Sequence, residues 1–210
     1  MSSADSSARL LAKQNPSDVT YVSGQDPLCY PGTSILRNKL DLRTAEELEE
    51  LELAMLLIRA EEALPAGQLD YEHYRNLHRH LFQDVYEWAG TIRSIRIGKQ
   101  GSWFCYPEYI DAEMTRIFLN LKQKDHLVGL PPAAFAKEAA HVIAEINAVH
   151  PFREGNGRTQ MTFLFILADN AGLPFDEEVL DKDRVIKVMV SSFAGNETLL
   201  EMLIADIVNA

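Results

Sequence analysis

The chain has 210 residues, 47% of them hydrophobic, enough for one ordinary globular domain with a substantial core. Its 20 basic and 31 acidic residues give a net charge of −11, which argues against direct nucleic-acid binding, a contact that rests on phosphate neutralisation. Two cysteines, Cys29 and Cys105, are too few for a disulfide framework, and both are expected to stay reduced.

The N-terminal MSSADSSARLLAKQN has no sustained apolar run. Neither a signal peptide nor a membrane span is expected, and the expected location is cytoplasmic. Residues 1–20 are Ser-rich and polar and read as mobile, so a flexible segment is assigned to 1–27 and the folded domain to 28–210. From Thr44, TAEELEELELAMLLIRAEEAL predicts a helix, with Thr44 as N-cap, Glu47 three residues on, and Pro65 beyond its end. The glutamates from Glu46 to Glu52 read as a solvated face. DYEHYRNLHRHLFQDVYEWAG predicts a second helix with Leu77, Leu81 and Val85 on one side. TIRSIRI alternates as a half-buried strand does, GKQG is a turn, and SWFCY is a second strand, so 91–106 predicts a β-hairpin. Helices follow in EYIDAEMTRIFLNLKQ and PPAAFAKEAAHVIAEINAVH, then over about 157–171, 182–193 and 197–208. The expected fold is all-α, a helical bundle with a single protruding hairpin.

The polar chemistry collects in HPFREGNGRTQM, residues His150 to Met161, between two apolar helices. Gly155, Asn156 and Gly157 stand where the second of these helices starts. Glycines allow unusual backbone angles and close approach of a ligand. A helix N-terminus adds unpaired N–H groups and the positive end of a dipole, which together suit phosphates. Arg158 in the first turn offers a charged fork to a phosphate oxygen. Glu154 beside this nest would repel a phosphate unless a hard cation such as Mg²⁺ lay between them. His150 is the one group of the loop that exchanges a proton near neutral pH. Phe152 reads as an apolar plug. A histidine with a Gly-rich turn is by itself more often structural than catalytic, but the fixed spacing of all these residues is far more specific.

Other features carry less. His73, His78 and His80 share one helix without a metal-ligand pattern and read as surface or packing residues; His141 reads as core or support for the loop. GKQGS lacks the spacing of a phosphate-binding P-loop. Trp103 and Phe104 either clamp a target side chain or pack the hairpin onto the domain.

The run His150-Pro151-Phe152-Arg153-Glu154-Gly155-Asn156-Gly157-Arg158 resembles the Fic-family signature H-P-F-x-[D/E]-G-N-G-R. YPGTSILRNKL, LHRHLFQDVYEWAGTIRSIRIGK and WFCYPEYI also resemble Fic-domain segments in the expected order, over roughly residues 28–208. The resemblance implies a Fic fold and a protein adenylyltransferase, which moves AMP from Mg-ATP to a hydroxyl of a target protein and releases pyrophosphate. It implies that His150 deprotonates a Ser, Thr or Tyr acceptor. Glu154 would hold Mg²⁺, and Gly155, Asn156, Gly157 and Arg158 would bind phosphates. Ile97, Gly98, Lys99, Gln100, Gly101, Ser102, Trp103 and Phe104 match the family's flap, which docks a target segment as an added strand.

Two departures qualify the resemblance. The family motif continues to a second arginine that helps hold the γ-phosphate, and here that position is Met161. A transferase with a different nucleotide or phosphate-containing donor, or a catalytically weak binding module, are the alternatives this leaves. The inhibitory pattern [S/T]-x-x-x-E-[G/N] of many members is missing; Glu197, for example, has Phe193 four residues before it. The chain therefore resembles toxin-like bacterial members whose inhibitor is a separate small antitoxin, and whose targets include type II topoisomerases.

Overall fold

The computed structural model of the chain describes residues 19–21, 26–99, 102–176 and 180–208. The elements run β1 (Val19–Tyr21), α1 (Ala45–Ala60), α2 (Tyr71–Phe82), β2 (Ile97–Lys99), β3 (Ser102–Trp103), α3 (Ile110–Gln123), α4 (Pro132–Val149), α5 (Asn156–Asn170), α6 (Lys182–Phe193) and α7 (Thr198–Val208).

Helix α4 is the axis of the bundle. Phe135, Ala139, Val142, Ile143, Ile146 and Val149 are buried on several of its faces, and it touches α3, α5, α6 and α7. Buried Ala136, Ala139, Ala140 and Ala144 bring those neighbours close, and a helix apolar nearly all round has to sit inside its bundle. Helices α1 and α2 lean on this core from one side, α2 against α5. The starts follow local chemistry. The Thr44 side chain accepts from Glu47 N–H and donates to the Glu47 carboxylate at 2.7 Å, closing the expected cap of α1. Asp70 caps α2 by accepting from His73 N–H at 2.8 Å.

Two expectations are corrected. Helix α2 stops at Phe82, because the following residues turn back to place Tyr86 and Trp88 face to face at 4.4 Å. The hairpin is also shorter than 91–106: β2 and β3 together cover only 97–99 and 102–103. Residues 91–96 do not pair as a strand, since Arg93 turns inward and is buried against the motif loop. Gln100 and Gly101 of the expected flap lie outside the described residues.

The sheet order is β1-β2-β3, all antiparallel. Residues 19–21, expected within a flexible segment, form its outer strand. Among the described residues no helix is long and apolar enough to cross a membrane.

Candidate active site

The motif loop joins the C-terminus of α4 to the N-terminus of α5. His150 ends α4 in the left-handed region, φ 52°, with its N–H still donating to the Ile146 carbonyl at 2.9 Å. A non-glycine residue there carries strain of about 1 kcal/mol or more, and it persists only because the surroundings fix it. Arg93 is what fixes it. Its guanidinium donates to the His150 carbonyl at 2.7 Å, to Val149 at 3.0 Å, to Cys105 at 2.6 Å and to Ile95 at 2.7 Å. It thus caps the negative end of α4 and ties the root of the flap to the same point. Burial lowers the Arg93 pKa to about 10, which still leaves it charged at neutral pH.

The His150 ring lies against Phe104, ring centroids 3.8 Å apart and nearly parallel, and Phe104 meets Phe193 edge-on at 5.1 Å. Of the two roles open to Phe104, packing is the one observed, and its packing partner is the candidate base itself. Trp103 is 38% exposed. His150 Nδ1 lies 3.3 Å from the Asn147 carbonyl. A carbonyl only accepts, so this contact places the proton on Nδ1 and the lone pair of the neutral ring on Nε2.

Phe152 is fully buried, 3.8 Å from the His78 ring and 5.7 Å from Tyr74, and is the plug expected. Gly155 is the N-cap of α5 at φ 80°, and a Cβ there would meet the Phe82 ring at 2.3 Å. Glycine is required twice over, for the angle and for the space. Asn156 is buried. Its side chain accepts from Phe152 N–H at 2.9 Å and donates to the Phe152 carbonyl at 2.8 Å. That amide braces the loop, and the Asn156 backbone N–H stands at the start of α5. Gly157 follows in the first turn.

Arg158 is fully buried and already paired. Its Nη2 donates to Glu52 Oε2 at 2.7 Å and lies 3.4 Å from Glu154 Oε1, while the guanidinium sits 4.5 Å over the Phe82 ring. Burial works against its charge, but the two carboxylates prevail and hold its pKa above the ordinary arginine value. Arg158 Nε is buried with no hydrogen-bond partner among the described residues, an unused donor of the fork. Glu154 Oε1 also accepts from Gly155 N–H at 2.9 Å, so both of these contacts fall on one of its two oxygens. Met161 is 3% exposed and belongs to the apolar core.

Several supporting residues escaped the sequence reading. Glu52 is not on a solvated face: it is 5% exposed and takes the Tyr86 hydroxyl as well as Arg158. The available signal was its position between Leu48 and Leu56, four residues away on each side and both buried. His78, read as surface or packing, is fully buried and contacts the Glu154 carbonyl at 3.0 Å. His73 and His80 are likewise buried against main-chain carbonyls of Pro65 and Arg59. His141 lies apart from the loop, exposed, beside Glu145 and Glu197. Arg153 points away from the nest into a buried ion pair with Asp26 at 2.6 Å, with Cys29 Sγ 3.8 Å from its guanidinium. Both cysteines are free thiols.

A helical bundle with a strand flap over a histidine, a loop glutamate and a glycine-capped helix N-terminus defines a class of group-transfer domain. Comparison with known proteins agrees. The Fic/DOC family model matches residues 68–168. A probable protein adenylyltransferase of Sinorhizobium fredii is 54% identical over 179 residues, 85% of this chain and 93% of that protein. Another from Escherichia coli K12 is 35% identical over 191 residues, 90% and 95% of the two chains. The crystal structure of BepC, a translocated effector of Bartonella tribocorum with bound AMPPNP, superposes with TM-score 0.78 at 27% identity, covering 86% of this chain and 95% of that one. The chain belongs to the Fic/DOC family.

Proposed function

We propose that this chain is a protein adenylyltransferase that transfers AMP from ATP to a Ser, Thr or Tyr hydroxyl of a target protein. The observation that carries the reading is the motif loop itself. A histidine held with its lone pair on Nε2 stands at one end, and a glycine-capped helix N-terminus with Arg158 stands at the other. Relatives bearing that activity in their names align with 85% and 90% of the chain.

His150 takes the acceptor proton at Nε2 as the acceptor oxygen meets the α-phosphorus. The N–H groups opening α5 and the Arg158 guanidinium hold the phosphate oxygens and the charge that develops on the leaving pyrophosphate. Phe104 keeps one face of the His150 ring dry. The donor set fits Mg²⁺. Glu154 offers one carboxylate beside the phosphate nest, and Mg²⁺ is commonly held by one or two carboxylates together with substrate phosphates. Among the described residues no cluster of three metal-ligating side chains would hold an ion alone, so Glu154 and the nucleotide would hold it jointly. Bound there, it supplies positive charge to the phosphates.

The catalytic unit is taken as residues 28–210, preceded by 1–27, acting in the cytoplasm. By resemblance to toxin-like bacterial members, a type II topoisomerase is the first target to try and a small antitoxin the first regulator. Met161 in place of the motif's second arginine favours one further reading, a donor other than ATP gripped without a γ-phosphate contact.

The test uses ATP labelled at the α- or the γ-phosphate, Mg²⁺, host lysate and a His150→Ala control. The expected result is protein label from α-labelled ATP alone, lost in the control. Label from the γ-phosphate would contradict the reading.

A further inference from the structure

The motif loop meets a carboxylate that the motif itself does not contain. Glu52 comes from the middle of α1 and is buried, with both of its oxygens engaged. Oε1 accepts from the Tyr86 hydroxyl, and Oε2 accepts from Arg158 Nη2 at 2.7 Å. Tyr86 is buried in turn and stacked on Trp88 at 4.4 Å, so the carboxylate is held from behind.

The same contact sorts the donors of the arginine. Nη2 serves Glu52 and lies 3.4 Å from Glu154 Oε1, and Nε is buried without a partner among the described residues. Nη1 has no protein partner among the described residues and is not closed off as Nε is. It is the nitrogen left to meet a phosphate oxygen.

The charges at the start of α5 do not balance. Among the described residues that meet there, Glu52 and Glu154 bring two negative charges and Arg158 brings one positive charge. Arg153, the other arginine of the loop, is paired with Asp26. Arg93 directs its donors to four carbonyls around the end of α4 and the flap. His78 is neutral at pH 7, because burial pushes its pKa down to about 3. The N-terminus of α5 adds about half a positive charge, which leaves the nest negative by about half a charge before any nucleotide arrives. Position 161, where an arginine would reverse that sign, holds Met161 in the apolar core. A nucleoside triphosphate brings further negative charge, and salt screens buried charges poorly.

We propose that Glu52 is a positioning residue that makes donor binding depend on a divalent cation. It holds the Arg158 fork by Nη2 and offsets its charge, so the nest takes a nucleoside triphosphate only when a metal ion comes with it. The inference rests on the adenylyltransferase reading above and concerns binding, before any bond is made.

The test measures ATP binding to the full chain by titration calorimetry, once with excess Mg²⁺ and once with EDTA. The parent should bind Mg-ATP, and metal-free ATP far more weakly. Glu52→Gln keeps an oxygen for Arg158 and removes the charge. It should tighten metal-free ATP, so that the ratio of the two Kd values falls by about tenfold or more. Glu52→Asp keeps the charge, and its ratio should stay at the parent's. Thermal melting checks that both variants fold. A purely structural brace predicts that Glu52→Gln weakens both bindings by one factor, and an unchanged ratio would overturn the inference. So would a ratio that falls equally in Glu52→Asp, or a parent that binds ATP alike with and without metal. Should Glu52→Gln not fold, these last two outcomes still decide the matter. Each of the three leaves the adenylyltransferase reading standing, because ATP still binds. ATP bound by no form of the chain in either condition would remove both.

Discussion

His78 lies beneath the motif loop with both ring nitrogens engaged. Nε2 donates to the Glu154 carbonyl at 3.0 Å, and Nδ1 accepts from Gly90 N–H at 2.8 Å. Only the neutral ring satisfies both, because a protonated Nδ1 would face another donor. Burial, helped by the nearby Arg158 charge, pushes the His78 pKa down from 6.5 to about 3. The unfolded chain therefore takes up a proton that the folded chain refuses between pH 6.5 and about 3, and stability falls as pH falls through that window. The expected slope from this group is roughly 1.4 kcal/mol per pH unit. Denaturant unfolding from pH 7.5 downward, compared with His78→Gln, measures it. The variant should show a shallower loss, and identical slopes would remove His78 as the cause. Glu52 is the counterpart on α1, a carboxylate that anchors Arg158 from outside the motif. Neither residue announces this role in sequence. Glu52 hides in an acidic run and His78 in a cluster of three histidines, and each acquires its meaning only when a distant segment folds over it.

Helices α4 and α5 place the loop, and the flap reports on it through Arg93 and Phe104. The sequence correctly assigns both helices and the glycine-capped start of α5, because periodicity and capping are local. It overestimates the hairpin, since TIRSIRI has a strand's alternation but Arg93 has four main-chain carbonyls to satisfy near the end of α4. Met161 belongs to the same scale. It is buried in the core one turn after the nest, where an uncompensated guanidinium would cost roughly 3 kcal/mol. Met161→Arg should melt at a lower temperature than the parent without nucleotide and gain more on addition of Mg-ATP, as a phosphate takes up the new charge. Equal gains in both proteins would put position 161 out of reach of the phosphates.

At the scale of the molecule, the all-α bundle is read readily because each helix carries its own stripe and stop. What sequence cannot show is convergence. Asp26, Glu52, His78, Arg93 and Phe104 come from five separate segments to one loop, and no local pattern encodes their meeting. The motif residues themselves were legible because they are contiguous. Their contiguity also hid a division of labour: the side chains of Asn156 and Arg153 brace the loop, whereas those of Glu154 and Arg158 meet beside the start of α5. AMP transfer fixes the stoichiometry of one reaction. ATP, Mg²⁺ and an acceptor protein would be followed for pyrophosphate release and for AMP-modified hydroxyls, in the parent chain and in His150→Ala. One pyrophosphate per AMP ester, with both lost in the variant, is the predicted result. Release of orthophosphate instead, or ester formation that survives without His150, would contradict it.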